Sequence, residues 1–145
     1  MNSKIAPIAL TLTAIAITVT SLAVLSVSNN LPPSEIINTV GVEAYFDSAC
    51  TQPATSLGVG NVSPGSTITQ TIYILNSGTI PVTLTMLAGD WSPTAASAYL
   101  ELSWNRQNYI LDAEDSVSAT LTLSVAPDTA GVTDFNCNVT IIGTE

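Results

Sequence analysis

Apolar residues recur along this chain with two different periods. From Ser116 to Val125, the residues Val117, Ala119, Leu121, Leu123 and Val125 alternate with Ser116, Ser118, Thr120, Thr122 and Ser124. That period of two is the pattern of a strand with one face in a core and the other in water. The same parity runs through Val40, Val42, Ala44 and Phe46, through Ile68, Ile72 and Ile74, and through Ile80, Val82, Leu84 and Met86. It returns in Leu100, Leu102 and Trp104 and in Phe135, Cys137, Val139 and Ile141, with a short piece at Tyr109 to Leu111. Turn-forming clusters separate the runs, among them Ser63-Pro64-Gly65, Asn76-Ser77-Gly78, Asp112 to Asp115 and Pro127 to Gly131. Seven short strands of this kind predict a β-sandwich over residues 39–145.

The N-terminal part reads differently. No Asp, Glu, Lys or Arg stands between Ile5 and Val27, and a helix over that stretch would be about 35 Å long, enough to cross a bilayer core. Lys4 precedes it and all 11 acidic residues follow it, so the positive-inside rule orients such a span N-in, C-out. The predicted organisation is a hydrophobic transmembrane-type α-helix in residues 1–28, a linker at 29–38 stiffened by Pro32-Pro33, and the sandwich. Three readings of the helix stand side by side: a secretory signal cleaved at Ser26-Val27-Ser28, a permanent single-span anchor, and a helix that first sits in the membrane and later packs in a filament core. For the third, Ala14, Ala16, Thr18 and Ser21 supply the small, hydroxylated surface that helices use to approach one another; the same hydroxyls also bond to their own helix in a lone anchor.

Lys4 followed by Ile5-Ala6-Pro7-Ile8-Ala9, and then Ala14-Ile15-Ala16-Ile17-Thr18-Val19, resembles the N-termini of archaeal type IV pilin-like proteins. The resemblance implies cleavage near Lys4 and Ile5 and assembly of the helix into a filament. In the outer domain, Gly58 to Gly65 with its following strand, Leu75-Asn76-Ser77-Gly78-Thr79-Ile80-Pro81-Val82, and Leu111-Asp112-Ala113-Glu114-Asp115-Ser116 resemble segments of immunoglobulin-like domains of surface proteins. The second of these is similar to the Asn-x-Gly hairpin between their second and third strands. That likeness implies an architecture, not a ligand.

Extending the inward parity of the first strand through Ser48 reaches Cys50, and Cys137 is inward on the last strand. The two cysteines of the chain are therefore expected to form a disulfide in an exported domain, with a pair of buried thiols as the alternative. Asn138-Val139-Thr140 and Asn61-Val62-Ser63 are possible N-glycosylation sequons. Asn138 falls on the polar face of its strand, whereas Asn61 is followed by Pro64, which disfavours transfer.

Composition narrows the chemistry. With 2 cations against 11 acids, no His and a net charge of -9, the chain lacks the basic footprint of a nucleic-acid binder. It also lacks the imidazole on which most nucleophilic triads and zinc sites depend. Ser and Thr make up about a quarter of the residues, yet no Gly-x-Ser-x-Gly elbow occurs, and no catalytic role, small-molecule substrate or cofactor is expected. Asp112, Glu114 and Asp115, with Asp128 or Asp134, offer hard oxygen ligands of the sort Ca2+ takes; a solvated turn uses the same residues. Among the aromatics, Trp104 has core parity and Trp91, in the loop before Pro93, is the candidate for binding.

The expected function is a structural subunit of an extracellular, pilin-like surface filament. Its helix would lie in the core, the sandwich would be displayed outward, and the subunit would associate with itself and, before assembly, with the membrane. A single-span anchored adhesion or binding domain is the alternative. A further alternative is a secreted subunit whose freed N-terminal strand completes a neighbour's sheet, for which Leu10, Leu12, Ala14 and Ala16 alternate with Thr11, Thr13, Ile15 and Ile17.

Overall fold

The computed structural model describes residues 21–28, as backbone, and residues 41–145 with their side chains. Nine strands occur among the described residues: β1 (Ser21–Ser28), β2 (Val42–Tyr45), β3 (Ser56–Gly58), β4 (Thr67–Asn76), β5 (Val82–Ser92), β6 (Leu100–Trp104), β7 (Ile110–Leu111), β8 (Ser116–Val125) and β9 (Asn136–Thr144), with one 3-10 turn at Thr94–Ala98. They form a five-stranded sheet in the order β3-β1-β9-β5-β7 and a four-stranded sheet in the order β2-β4-β8-β6. The fold is therefore mainly β.

Every odd strand lies in the first sheet and every even strand in the second. Each connection thus crosses from one sheet to the other, and no strand pairs with its sequence neighbour. Asn76-Ser77-Gly78 is accordingly not a hairpin turn; it carries the chain from β4 to the opposite sheet. Burial explains the arrangement. Ile72, Ile74, Ala119, Leu121 and Leu123 from one sheet and Val82, Leu84, Val139 and Ile141 from the other form one buried core, closed at one end by Phe135. A strand with one apolar face finds cover only on the facing sheet.

Two local devices hold the layers. Asn76 is fully buried, and its Nδ2 donates to the carbonyls of Ile80 (2.8 Å), Leu111 (3.2 Å) and Asp112 (3.1 Å). Its Oδ1 accepts from the Gly78 N–H at 2.9 Å, so one side chain ties the β4–β5 crossing to the turn after β7. On β9, a methyl group at Gly143 would lie 2.5 Å from Val42 Cγ2 and 3.0 Å from Val82 Cγ2. Glycine there lets the two sheets approach.

Three expectations are corrected. A single transmembrane-type helix over residues 5–27 is not what forms: Ser21–Ser28 is a strand, paired antiparallel with β9 over its whole length and parallel with β3 from Ser26 to Ser28. No helix long and apolar enough to cross a membrane occurs among the described residues, so membrane insertion through residues 5–27 is not supported. The physical reason is that an uncharged, β-branched stretch suits an interior strand as well as a bilayer. Ala14, Ala16 and Thr18 lie outside the described residues, as do the 29–38 linker and the Leu10 to Ile17 alternation; Ser21 opens β1. The seven expected strands become nine by the addition of β1 and β3.

The third correction is the disulfide: Cys50 and Cys137 are both free. The first strand ends at Tyr45 and does not run on to Cys50. Asp47 gathers the following loop, its carboxylate accepting from the Thr51 N–H (2.9 Å), the Thr51 hydroxyl (2.7 Å) and the Gln52 N–H (2.8 Å). Cys50 takes a left-handed φ of 52° within that loop and hydrogen-bonds Ser116, on the outer side of the four-stranded sheet. Cys137 points into the core from the other sheet. A whole sheet separates the two sulfurs.

Candidate functional site

The registers of the five-stranded sheet place specific residues together on its outer face. Val82, Leu84, Val139 and Ile141 face the core, so the positions between them face out. Thr83 stands between Thr144 and Ile110, Thr85 opposite Ile142, and Leu87 opposite Thr140. Leu87 is 56% exposed and Ile110 65% exposed. Across β5, β7 and β9 this face carries no ionisable side chain until Asp90, at the bulge that interrupts the β5–β9 register before it resumes at Ser92 opposite Asn136.

The other outer face differs. It bears Glu43 on β2 and Glu101 on β6 at its two margins. Arg106 lies beside it, its Nε donating to the Ser118 carbonyl at 2.7 Å and its guanidinium 5.1 Å from the Tyr109 ring centre. Tyr45 donates its hydroxyl to the Glu43 carboxylate. That bond, then burial, then the negative charge of Glu43, push the phenol up to about 12. Hydrogen bonds from Thr51 and Gln52 hold the Asp47 carboxyl below its ordinary value, and burial pushes the Cys137 thiol up to about 12. A thiol so raised is inert at neutral pH.

The residues singled out from sequence are dispersed. Trp91 lies on β5 rather than in a loop, is half-buried and packs against the core, its ring centre 6.2 Å from that of Phe135. Trp104 also packs on the core and donates its indole N–H to Gln107 Oε1 at 3.0 Å. Asn138 is half-buried in the middle of the five-stranded sheet and donates to Asp90 Oδ2 at 3.0 Å, whereas Asn61 is exposed in the loop before β4. Asp112, Glu114 and Asp115 form a turn in which the Asp112 and Asp115 carbonyls serve Asn76; no group of three His, Cys, Asp or Glu able to hold a metal occurs among the described residues. An apolar hollow of about 180 Å³ lies at the Phe135 end, lined chiefly by Val62, Pro64, Leu100, Val125 and Val132, and none of its lining residues is titratable.

The charge-free face is the feature that reading the strands singly misses. Each strand shows its polar parity, but which parities lie side by side depends on the sheet order. Comparison with known protein families, curated protein sequences and solved structures finds no match.

Proposed function

We propose that this chain is a structural subunit that assembles with copies of itself into an extracellular surface filament. The reading rests on the outer face of the five-stranded sheet. Copies with a net charge of -9 repel one another, and they meet most easily where neither presents a carboxylate. The Thr83, Thr85, Leu87, Ile110, Thr140 and Ile142 surface is such a place. Its threonine hydroxyls are inexpensive to desolvate compared with ions, and Leu87 and Ile110 add apolar area. A filament core of N-terminal helices has no part in this reading; the contact is between sheets.

The test is the assembly state of the full chain by light scattering and negative-stain electron microscopy over a concentration series. Leu87→Glu places an ion in the proposed contact, where an unpaired buried charge costs several kcal/mol. Thr122→Glu adds the same charge to the outer face of the other sheet. Assembly by the parent and by Thr122→Glu, with onset at least about tenfold higher in concentration for Leu87→Glu (roughly 1.4 kcal/mol per decade), is expected. A parent that stays a single copy throughout, or equal effects of the two substitutions, would refute the proposal.

A further inference from the structure

We propose that β1 is exchanged between copies, the strand of one chain filling the slot between β9 and β3 of the next and joining subunits head to tail. This rests on the self-assembly reading and adds the link between subunits. β1 is an interior strand of its sheet, and among the described residues its backbone ladders all run to strands that are not its sequence neighbour. Its eight-residue ladder is with β9, from Ser28 opposite Asn136 to Ser21 opposite Gly143, and its three-residue parallel ladder is with β3, from Ser26 opposite Ser56 to Ser28 opposite Gly58. Both partners are distant in sequence.

The other eight described strands are contained in residues 41–145, so β1 can be withdrawn without threading another of them; β9, the last in chain order, shares that freedom but is held by long ladders on both sides, to β1 and to β5. Departure of β1 leaves an open edge along β9 and deprives β3 of its one sheet neighbour among the described residues. Unpaired strand edges of that kind are templates for another strand. A second copy carries the one sequence that restores the same bonds in the same register, which is why swapped elements exchange at little energetic loss.

Chain length permits the crossing. Ser28 and Val42 belong to opposite sheets, a separation of about 10 Å, whereas the segment 29–41 spans up to about 43 Å when extended. Whether β1 pairs at home or abroad is then decided by concentration. The balance falls near the effective concentration that a short connection imposes, on the order of millimolar, which packed subunits reach. Because donor and acceptor surfaces differ, the exchange propagates as an open chain and need not close.

Val27 stands directly opposite Cys137 in the β1–β9 ladder, and such pairs lie about 4.5–5.5 Å apart, within disulfide reach. A donor chain carries Val27→Cys, Cys50→Ser and Cys137→Ala; an acceptor chain carries Cys50→Ser alone and keeps Cys137. The two are refolded together at about 1 mM in a glutathione redox buffer, so that positions 27 and 137 can pair before the core closes over the Cys137 thiol. A donor–acceptor disulfide joining positions 27 and 137, identified by peptide mass mapping, is expected, and its absence in folded material overturns the exchange. Ala23→Cys in one chain with Ile141→Cys in the other, in a Cys50→Ser, Cys137→Ala background, repeats the test at a second paired position in case the first pair fails to fold.

A single chain bearing Val27→Cys and Cys50→Ser then gives a ladder of covalent products if exchange runs head to tail. A covalent dimer alone overturns that arrangement in favour of a closed swap. Intrachain disulfides only, in material that still forms filaments, overturn strand exchange and leave self-assembly standing; intrachain disulfides with no filaments remove both.

Discussion

Asn76→Ala removes a side chain that makes four hydrogen bonds inside the protein, and its effect follows from which partners lose access to water. The Ile80 and Asp112 carbonyls belong to solvent-facing residues and recover bonds there. The Leu111 carbonyl belongs to a buried residue, and the Gly78 N–H lies in a part-buried contact; both are left without a partner. Each buried polar group so orphaned costs about 1–3 kcal/mol, so the variant should lose about 3 kcal/mol of a total that is about 5–15 kcal/mol for a domain. In urea, with a slope of about 2 kcal/mol/M, the midpoint should fall by about 1.5 M. Asn76→Asp sharpens the test. At neutral pH its carboxylate faces three carbonyl oxygens, so its folded pKa must rise above the unfolded value near 3.9. A raised pKa gives stability that is present below the unfolded value and lost as pH climbs through the folded one. Asn76→Asp should therefore be worse than Asn76→Ala at pH 7 and recover ground toward pH 4. An Asn76→Ala midpoint within about 0.3 M of the parent would show that the crossing does not depend on this side chain.

Gly143→Ala inserts a methyl 2.5 Å from Val42 Cγ2 and should destabilise the sandwich by about 1–3 kcal/mol through overpacking, read from the same urea titration; Gly143→Ala combined with Val42→Ala should recover part of the loss if the clash is the cause. Tyr45 should ionise with a midpoint of about 12 by absorbance at 295 nm, and Glu43→Gln should move it back toward 10, since the bond to Glu43 is the leading cause of the shift. Its contribution to stability should be whole below pH 10 and disappear between pH 10 and 12, so thermal melts of the parent and Tyr45→Phe should converge across that window; parallel curves would contradict it.

Strand positions were legible in the residues because they depend on a local quantity. In Ser116 to Val125 every second residue is apolar, and no helix or turn satisfies such a pattern over ten positions. Gly and Asn at Asn76-Ser77-Gly78 likewise announce a change of direction whatever lies beyond it. The N-terminal stretch misled for the converse reason: an uncharged run such as Ser21–Ser28 satisfies both a bilayer and an interior strand, and only its bonds to β9 and β3 separate them. Cys50 misled because parity was carried past Tyr45, where Asp47 turns the chain through contacts with Thr51 and Gln52 that strand periodicity does not anticipate.

What the amino-acid sequence by itself determined was the alternation within each strand, the points at which the chain turns and the scarcity of charge. Only the tertiary structure decided that every turn crosses to the opposite sheet, that the two thiols lie on different sides of β4 and β8, and that Thr83, Thr85, Leu87, Ile110, Thr140 and Ile142 meet on one face. A turn residue sets the direction of a few dihedral angles. Which sheet receives the next strand is set by where its apolar side can be buried, and that depends on strands as far apart in sequence as β1 and β9.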